Sequence, residues 1–162
     1  MRSLGAAASS EGTIYFTGGV CAVLFGWREQ TIDVDLKADP EPHGFFECLP
    51  GLKDRLDINI ELASPDLFIP ALPGWRERSP FIARHGKVDF HHYDFYGQAL
   101  AKLERDHPRD RLDVQCMVRD GLVEPDRLAV LFEEVEGNLI RFPAVDAKSL
   151  RQRVLDFAEG RG

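Results

Sequence analysis

The sequence predicts an α/β (α+β) chain in which a mixed sheet comes from the residues before position 94 and a helical layer from those after it. Three observations predict this. Clean two-residue alternation of apolar and polar side chains occurs at Thr31–Lys37 and Asp57–Leu62, in the first half only. Beyond residue 94 the apolar spacing changes to threes and fours. No internal repeat or low-complexity linker separates the two halves, so the reading is one domain over residues 1–162, with a core at about 13–118 and C-terminal helices at about 124–158.

Taken in order, Thr13–Thr17 is a short β-branched and aromatic strand that stops at Gly18-Gly19, and the apolar run from Val20 to Trp27 is a buried helix punctuated by Gly26. Thr31–Lys37 directs Ile32, Val34 and Leu36 one way and Thr31, Asp33, Asp35 and Lys37 the other, giving a strand with an acidic face. Phe46, Leu49, Leu52 and Leu56 have helical spacing within Phe45–Leu56, and Pro50-Gly51 divides that helix into two pieces. Asp57–Leu62 repeats the acidic alternation, with Ile58, Ile60 and Leu62 inward. Three prolines between Ser64 and Ser79 predict an ordered loop pinned by Phe68, Ile69, Leu72 and Trp75. Phe81–Arg84 and Lys87–Tyr93 form a hairpin around His85-Gly86.

The second half reads as helices. Ala99, Leu100 and Leu103 belong to one; Leu112, Val114, Cys116, Met117 and Val118 belong to the next, which starts at Pro108. Leu128, Leu131, Phe132 and Val135 mark a third, closed by Gly137. The last runs from Asp146 or Ala147 to Phe157, after which Gly160–Gly162 fray.

Composition excludes several classes. At 44% apolar and 29% charged residues the chain is an ordinary globular sequence, neither disordered nor collagenous. Its longest apolar run is far short of the roughly 20 residues a membrane span needs, and Gly5–Ser10 lacks the apolar core of an export signal, so the expected compartment is the cytoplasm. A net charge of -7 disfavours a broad grip on nucleic acid and leaves only local basic patches for that purpose. Cys21, Cys48 and Cys116 are odd in number and widely spaced, which predicts buried thiols rather than a disulfide framework or structural zinc.

Chemistry concentrates on the acidic strands. Asp33 and Asp35, two residues apart on a strand, share a face about 7 Å apart, and their mutual repulsion is offset by a hard divalent cation such as Mg2+. A plain solvated face is the competing reading. Gly18-Gly19, between a strand and a helix, permits a tight turn whose backbone N–H groups can face a triphosphate. Glu61 on the second acidic strand supplies a third carboxylate, with Asp57 and Asn59 on the same face. His91 and His92 are adjacent on a strand and point to opposite faces, so they form no two-imidazole metal site. Arg76, Arg78 and Arg84 give the loop and hairpin local positive charge.

Thr17-Gly18-Gly19, followed by Gly26, Arg28, Thr31 and Asp33-Val34-Asp35, resembles the DNA polymerase beta-like nucleotidyltransferase superfamily. Lys102, Leu103 and Arg105, then Pro108-Arg109-Asp110 with Asp113 beyond, resemble the lysine and Arg-Asp motifs of abortive-infection type nucleotidyltransferase toxins and their uncharacterised bacterial relatives. The resemblance spans residues 13 to 118. It implies a compact nucleotidyltransferase-like core in which Gly18 and Gly19 bind triphosphate and Asp33, Asp35 and Glu61 hold magnesium. It also implies that Lys102 and Asp110 lie in the catalytic cleft. On physical grounds Lys102 can offset phosphate charge or be a solvated helix lysine, and Asp110 can cap a helix or accept from Arg105 or Arg109.

The expected function is therefore a magnesium-dependent nucleotidyltransferase that moves a nucleoside monophosphate from a nucleoside triphosphate to an acceptor hydroxyl. No sequence feature chooses the acceptor, which leaves RNA and protein both open, and a further protein partner such as an antitoxin fits the resemblance. The alternatives are a catalytically silent nucleotidyltransferase-like module that binds a nucleotide or a protein, and a metal-dependent phosphate-ester hydrolase.

Overall fold

A computed structural model describes residues Met1–Arg161. Its elements are α1 (Arg2–Ala7), β1 (Gly12–Thr17), α2 (Gly19–Leu24), β2 (Asp33–Ala38), α3 (Phe45–Leu56), β3 (Asn59–Leu62), β4 (Phe81–His85), β5 (Val88–His92), α4 (Phe95–Arg105), α5 (Pro108–Arg119), α6 (Pro125–Val135) and α7 (Ala147–Ala158). Short 3-10 turns occupy Pro65–Leu67 and Glu136–Arg141. The fold is α+β, as expected, with a mixed sheet followed by helices. The residues group into two compact units: Met1–Ser64 with Ser79–Tyr93, and Pro65–Arg78 with the chain from Asp94 onward.

The first unit holds a five-stranded sheet in the order β3-β2-β1-β5-β4. β1 is central, antiparallel to β2 and parallel to β5; β2 and β3 are parallel, and β4 and β5 form the expected antiparallel hairpin. A parallel return from β2 to β3 needs a crossover of about a dozen residues, and the 12-residue α3 supplies it. Alternation gives the sheet two unlike faces. Ile14, Phe16, Leu36, Ile60, Val88 and Phe90 are buried on one, where Phe16 and Phe90 stack at 5.8 Å. The other carries Thr17, Asp33, Asp35, Lys37, Asn59 and Glu61.

The second unit is helical. Asp94 caps α4 by accepting from the backbone N–H of Tyr96 at 3.2 Å, and it also accepts from Arg78 Nε and Nη2 at 3.2 and 2.7 Å. That bidentate pair, with Asp94 buried and Arg78 half-buried, ties the proline-rich segment to the start of α4, while Ile69, Leu72 and Trp75 are buried. Pro108 opens α5 at a position where its missing donor costs nothing.

Several expectations need correction. α1 lies within a stretch read as having no element; its Leu4 is buried. α2 stops at Leu24, before Trp27, where the N–H groups of Phe25 and Gly26 bond back to Cys21 and Val23. Ile32 is exposed ahead of β2, which begins at Asp33. α3 is continuous through Pro50. Asp57 is not on β3 but is the left-handed C-cap of α3, at φ 51°, which removes it from the acidic face. Leu62, Phe68 and Leu112 are exposed rather than inward. Gly137 does not close α6, because the chain tightens there into the 3-10 turn. Cys21 is buried but Cys48 and Cys116 are half-buried, and none is in a disulfide. The tail expected to fray is bonded at Gly160 and Arg161, to Phe157 and Asp156 carbonyls, while Gly162 lies outside the described residues. Among the described residues no helix is long and apolar enough to cross a membrane.

Candidate active site

The glycine turn and the acidic strands come together in the first unit. Thr17, the last residue of β1, stands opposite Asp35 on β2, so the chain leaves the sheet beside that carboxylate. Gly18 has φ 62° and ψ -131°, a conformation that L side chains rarely adopt, and a Cβ there would lie 2.7 Å from Asp35 Oδ2. A Cβ on Gly19 would lie 2.6 Å from Thr31 Oγ1. The Gly18 conformation favours glycine, and at both positions a methyl group would have to displace a polar side chain of the aspartate strand region, Asp35 or Thr31.

Thr31 prepares the strand. Its hydroxyl donates to the Asp33 carbonyl at 3.0 Å and stands 3.3 Å from the Asp33 backbone N–H, a local turn that sets where the acidic alternation begins. The parallel register then pairs Asp33 with Asn59 and Asp35 with Glu61. Asn59 Nδ2 donates to Glu61 Oε1 at 2.7 Å and reaches Asp33 Oδ1 at 3.5 Å, while its Oδ1 accepts from Lys53 Nζ at 3.5 Å. Asp33 and Glu61 are exposed and Asp35 is half-buried.

Asp33 and Asp35 offer hard oxygen donors on one face. This suits magnesium, which takes one or two protein carboxylates and completes its shell with water and phosphate oxygens. Among the described residues no group of three or more His, Cys, Asp or Glu side chains forms a metal-holding cluster, so Asp33, Asp35 and Glu61, though neighbours across the ladder, do not converge as three ligands.

Lys102 and Asp110 belong to the second unit, where they meet Asp113. Lys102 is only 5% exposed and donates to Asp110 Oδ1 at 3.0 Å and Asp113 Oδ2 at 2.5 Å; Arg105 Nη2 adds a bond to Asp110 Oδ1 at 2.8 Å. Burial pushes the Asp110 carboxyl up, but Lys102 and Arg105 together outweigh it and hold it below the usual carboxylate range. The cluster joins α4 to α5.

Two partnerships had no local signal in the sequence. Lys53 sits on α3, where it read as an ordinary helix position, and it meets Asn59 only because α3 returns the chain to β3. Cys21 and His92 are 71 positions apart, and both are buried with His92 Nδ1 3.2 Å from Cys21 Sγ, whose thiol donates to the Phe16 carbonyl at 3.2 Å. Burial, and secondarily the neighbouring His91, lowers the His92 pKa to about 4. His91 points to the other face and bonds the Ser79 carbonyl at 2.9 Å, as strand alternation requires.

Compared with family models, curated proteins and solved structures, the chain matches none.

Proposed function

We propose that this protein is a magnesium-dependent nucleotidyltransferase, similar in its core to the polymerase beta-like superfamily. The observation that carries the reading is the close approach of Gly18 to the Asp35 carboxylate, which a Cβ on Gly18 would meet at 2.7 Å. It brings a turn suited to polyphosphate beside two alternating strand carboxylates.

In this reading Asp33 and Asp35 hold the cation, and Gly18 and Gly19 seat the phosphates of a nucleoside triphosphate. When bound, magnesium neutralises phosphate charge and favours ionisation of the acceptor hydroxyl. Glu61, oriented by Asn59, takes the acceptor proton. The acceptor oxygen bonds to the α-phosphorus as the bond from that phosphorus to the bridging oxygen breaks, and pyrophosphate leaves. Lys102 and Asp110 enter the proposal only as the ion-pair cluster that fixes α5 on α4. The acceptor is an RNA or protein hydroxyl.

Incubation of the chain with each labelled nucleoside triphosphate, magnesium and total cellular RNA or protein tests this. Label transfer that is lost in the Asp33→Asn, Asp35→Asn double variant is the expected result; nucleotide loss without acceptor labelling would instead indicate a hydrolase.

A silent nucleotide- or protein-binding module is the second reading. It is favoured by Asn59, whose bond to Glu61 Oε1 takes up one oxygen of that carboxylate, in competition with an acceptor hydroxyl. Nucleotide binding without turnover would select it.

A further inference from the structure

The helical unit contains a cavity of about 310 Å3 that the proposed reaction leaves unused. Its floor is apolar, formed by Leu103 of α4, Val114 of α5 and Phe157 of α7, and its wall carries Arg111, Arg153 and Asp106. We infer that this cavity binds a small organic oxyanion: a carboxylate or phosphate group on a compact apolar body.

The charge distribution carries the argument. Arg111 grips Asp106 with Nε and Nη2, at 2.7 and 2.9 Å, and Arg153 Nε stands 3.4 Å from the same carboxylate. Two guanidiniums therefore gather on one carboxylate, a local excess of positive charge in a chain whose net charge is -7. The wall also carries Arg161 and Asp156, which pair with each other, so among the lining residues three guanidiniums meet two carboxylates, while Glu159, outside the lining, also bonds Arg161.

Arg153 cannot swing away to relieve this crowding, since its Nη1 also donates to the Leu103 and Glu104 carbonyls at 3.2 and 2.6 Å. Those bonds leave Arg111 Nη1 and Arg153 Nη2 as terminal donors with no hydrogen-bond partner among the described residues. Both side chains are partly exposed, so these donors are open to solvent and can be taken up by an oxyanion, which adds a second acceptor group to the pair of guanidiniums. Next to this polar corner the floor offers an apolar surface, the combination that fixes a small ligand by one charged anchor and a hydrophobic body. At roughly 30 Å3 per water-sized group, the volume admits on the order of ten non-hydrogen atoms.

The inference is independent of the transferase reading and is tested on the whole chain, 15N-labelled, with four probes: benzoate, phenyl phosphate, inorganic phosphate and benzyl alcohol. Saturable binding of benzoate or phenyl phosphate is expected, with amide shifts centred on Val114 and Phe157. Binding of inorganic phosphate and of benzyl alcohol should be weaker by about tenfold or more. The better of the two aromatic probes identifies the oxyanion. Arg111→Gln should weaken that binding about tenfold, and Gln115→Trp, which fills the mouth of the cavity while leaving the Asp106 bonds in place, should abolish it; thermal melting checks that each variant is folded. Four results would each overturn the proposal: neither aromatic oxyanion saturates; benzyl alcohol or inorganic phosphate binds as tightly as they do; Gln115→Trp retains the affinity of the parent chain; or the shifts centre on Gly18 and Gly19.

Discussion

The two carboxylate clusters of this molecule use the same residue types under opposite conditions. On the sheet, Asp33, Asp35 and Glu61 are exposed or half-buried, and the polar groups bonded to them include the neutral amide of Asn59. Between α4 and α5, Asp110 and Asp113 are buried around Lys102, with Arg105 alongside. A buried charge must be neutralised by the protein itself, whereas an accessible one can be neutralised by something that arrives from solution. The contrast teaches that one cluster contributes to cohesion, and that the other contributes little to it and stays accessible to solvent.

The sharpest way to break this comparison is to remove one cation. Lys102→Ala takes the shared partner from two buried carboxylates and should lower unfolding free energy by about 3–5 kcal/mol. The Asp33→Asn, Asp35→Asn double variant should change it by less than about 1 kcal/mol, because accessible carboxylates that repel one another lose little when neutralised. Urea titration of both variants measures the difference; equal losses would erase the distinction.

Gly18→Ala sharpens the sheet side of the comparison. A methyl group there meets Asp35 Oδ2 at 2.7 Å at a residue with φ 62°. Gly26 has a similar φ of 74° but nothing within 4 Å of the equivalent position. Both glycines have positive φ, but Gly18 also has ψ -131°, outside the left-handed helical region, so the extra loss in Gly18→Ala over Gly26→Ala, on the order of 1–2 kcal/mol, combines that backbone strain with the displacement of the Asp35 carboxylate.

Acid titration separates buried groups by pH window. Burial lowers His92 from 6.5 to about 4, so the unfolded chain takes up a proton there before the folded one does. Stability contributed by neutral His92 is complete above pH 6.5 and falls as the pH drops toward 4. Asp110 is held below its ordinary 3.8, so its contribution is lost only at more acid pH. Thermal melts against pH should show the first decline in the parent chain and a flatter profile over that window in His92→Gln.

The smallest effect is expected at the surface. Arg84 bridges Asp89 and Glu11 at 3.2 and 3.3 Å, with all three side chains substantially exposed. Arg84→Ala should alter the melting free energy by no more than about 0.5 kcal/mol; a larger loss would show that exposure is a poor guide to which ion pairs matter here.

Much of the architecture was legible because alternation and helical spacing are local properties. The strand of Thr13–Thr17, the acidic face of Asp33 and Asp35, the β4–β5 hairpin and the switch to helices are visible in short windows. The errors fall where tertiary contact overrides the pattern. α3 tolerates Pro50 because Phe45 and Leu52 anchor it on either side of the proline. Asp57 continues the polar-apolar alternation and yet ends a helix, since the chain must turn there before entering β3. Thr31, Gly19, Asp33 and Asp35 form one constellation because a strand pairing joins them, and their spacing hinted at it. Lys102, Asp110 and Asp113 were each visible as charged positions, but the sequence offered Arg105 or Arg109 as the donor to Asp110, and only the packing of α4 on α5 buries Lys102 between both carboxylates. Arg153 on Asp106, 47 positions apart, had no sequence signal at all.

The sheet has a consequence for synthesis on the ribosome. β1 sits at its centre, and its parallel neighbour β5 is encoded more than seventy residues later, after the segment that joins the helical unit has already emerged. Until Val88–His92 is made, one edge of β1 offers unsatisfied backbone groups and the apolar surfaces of Ile14 and Phe16 lack Phe90. A nascent chain stalled near position 80 is therefore the species most prone to pair with strangers, and chaperone occupancy along the growing polypeptide should peak there.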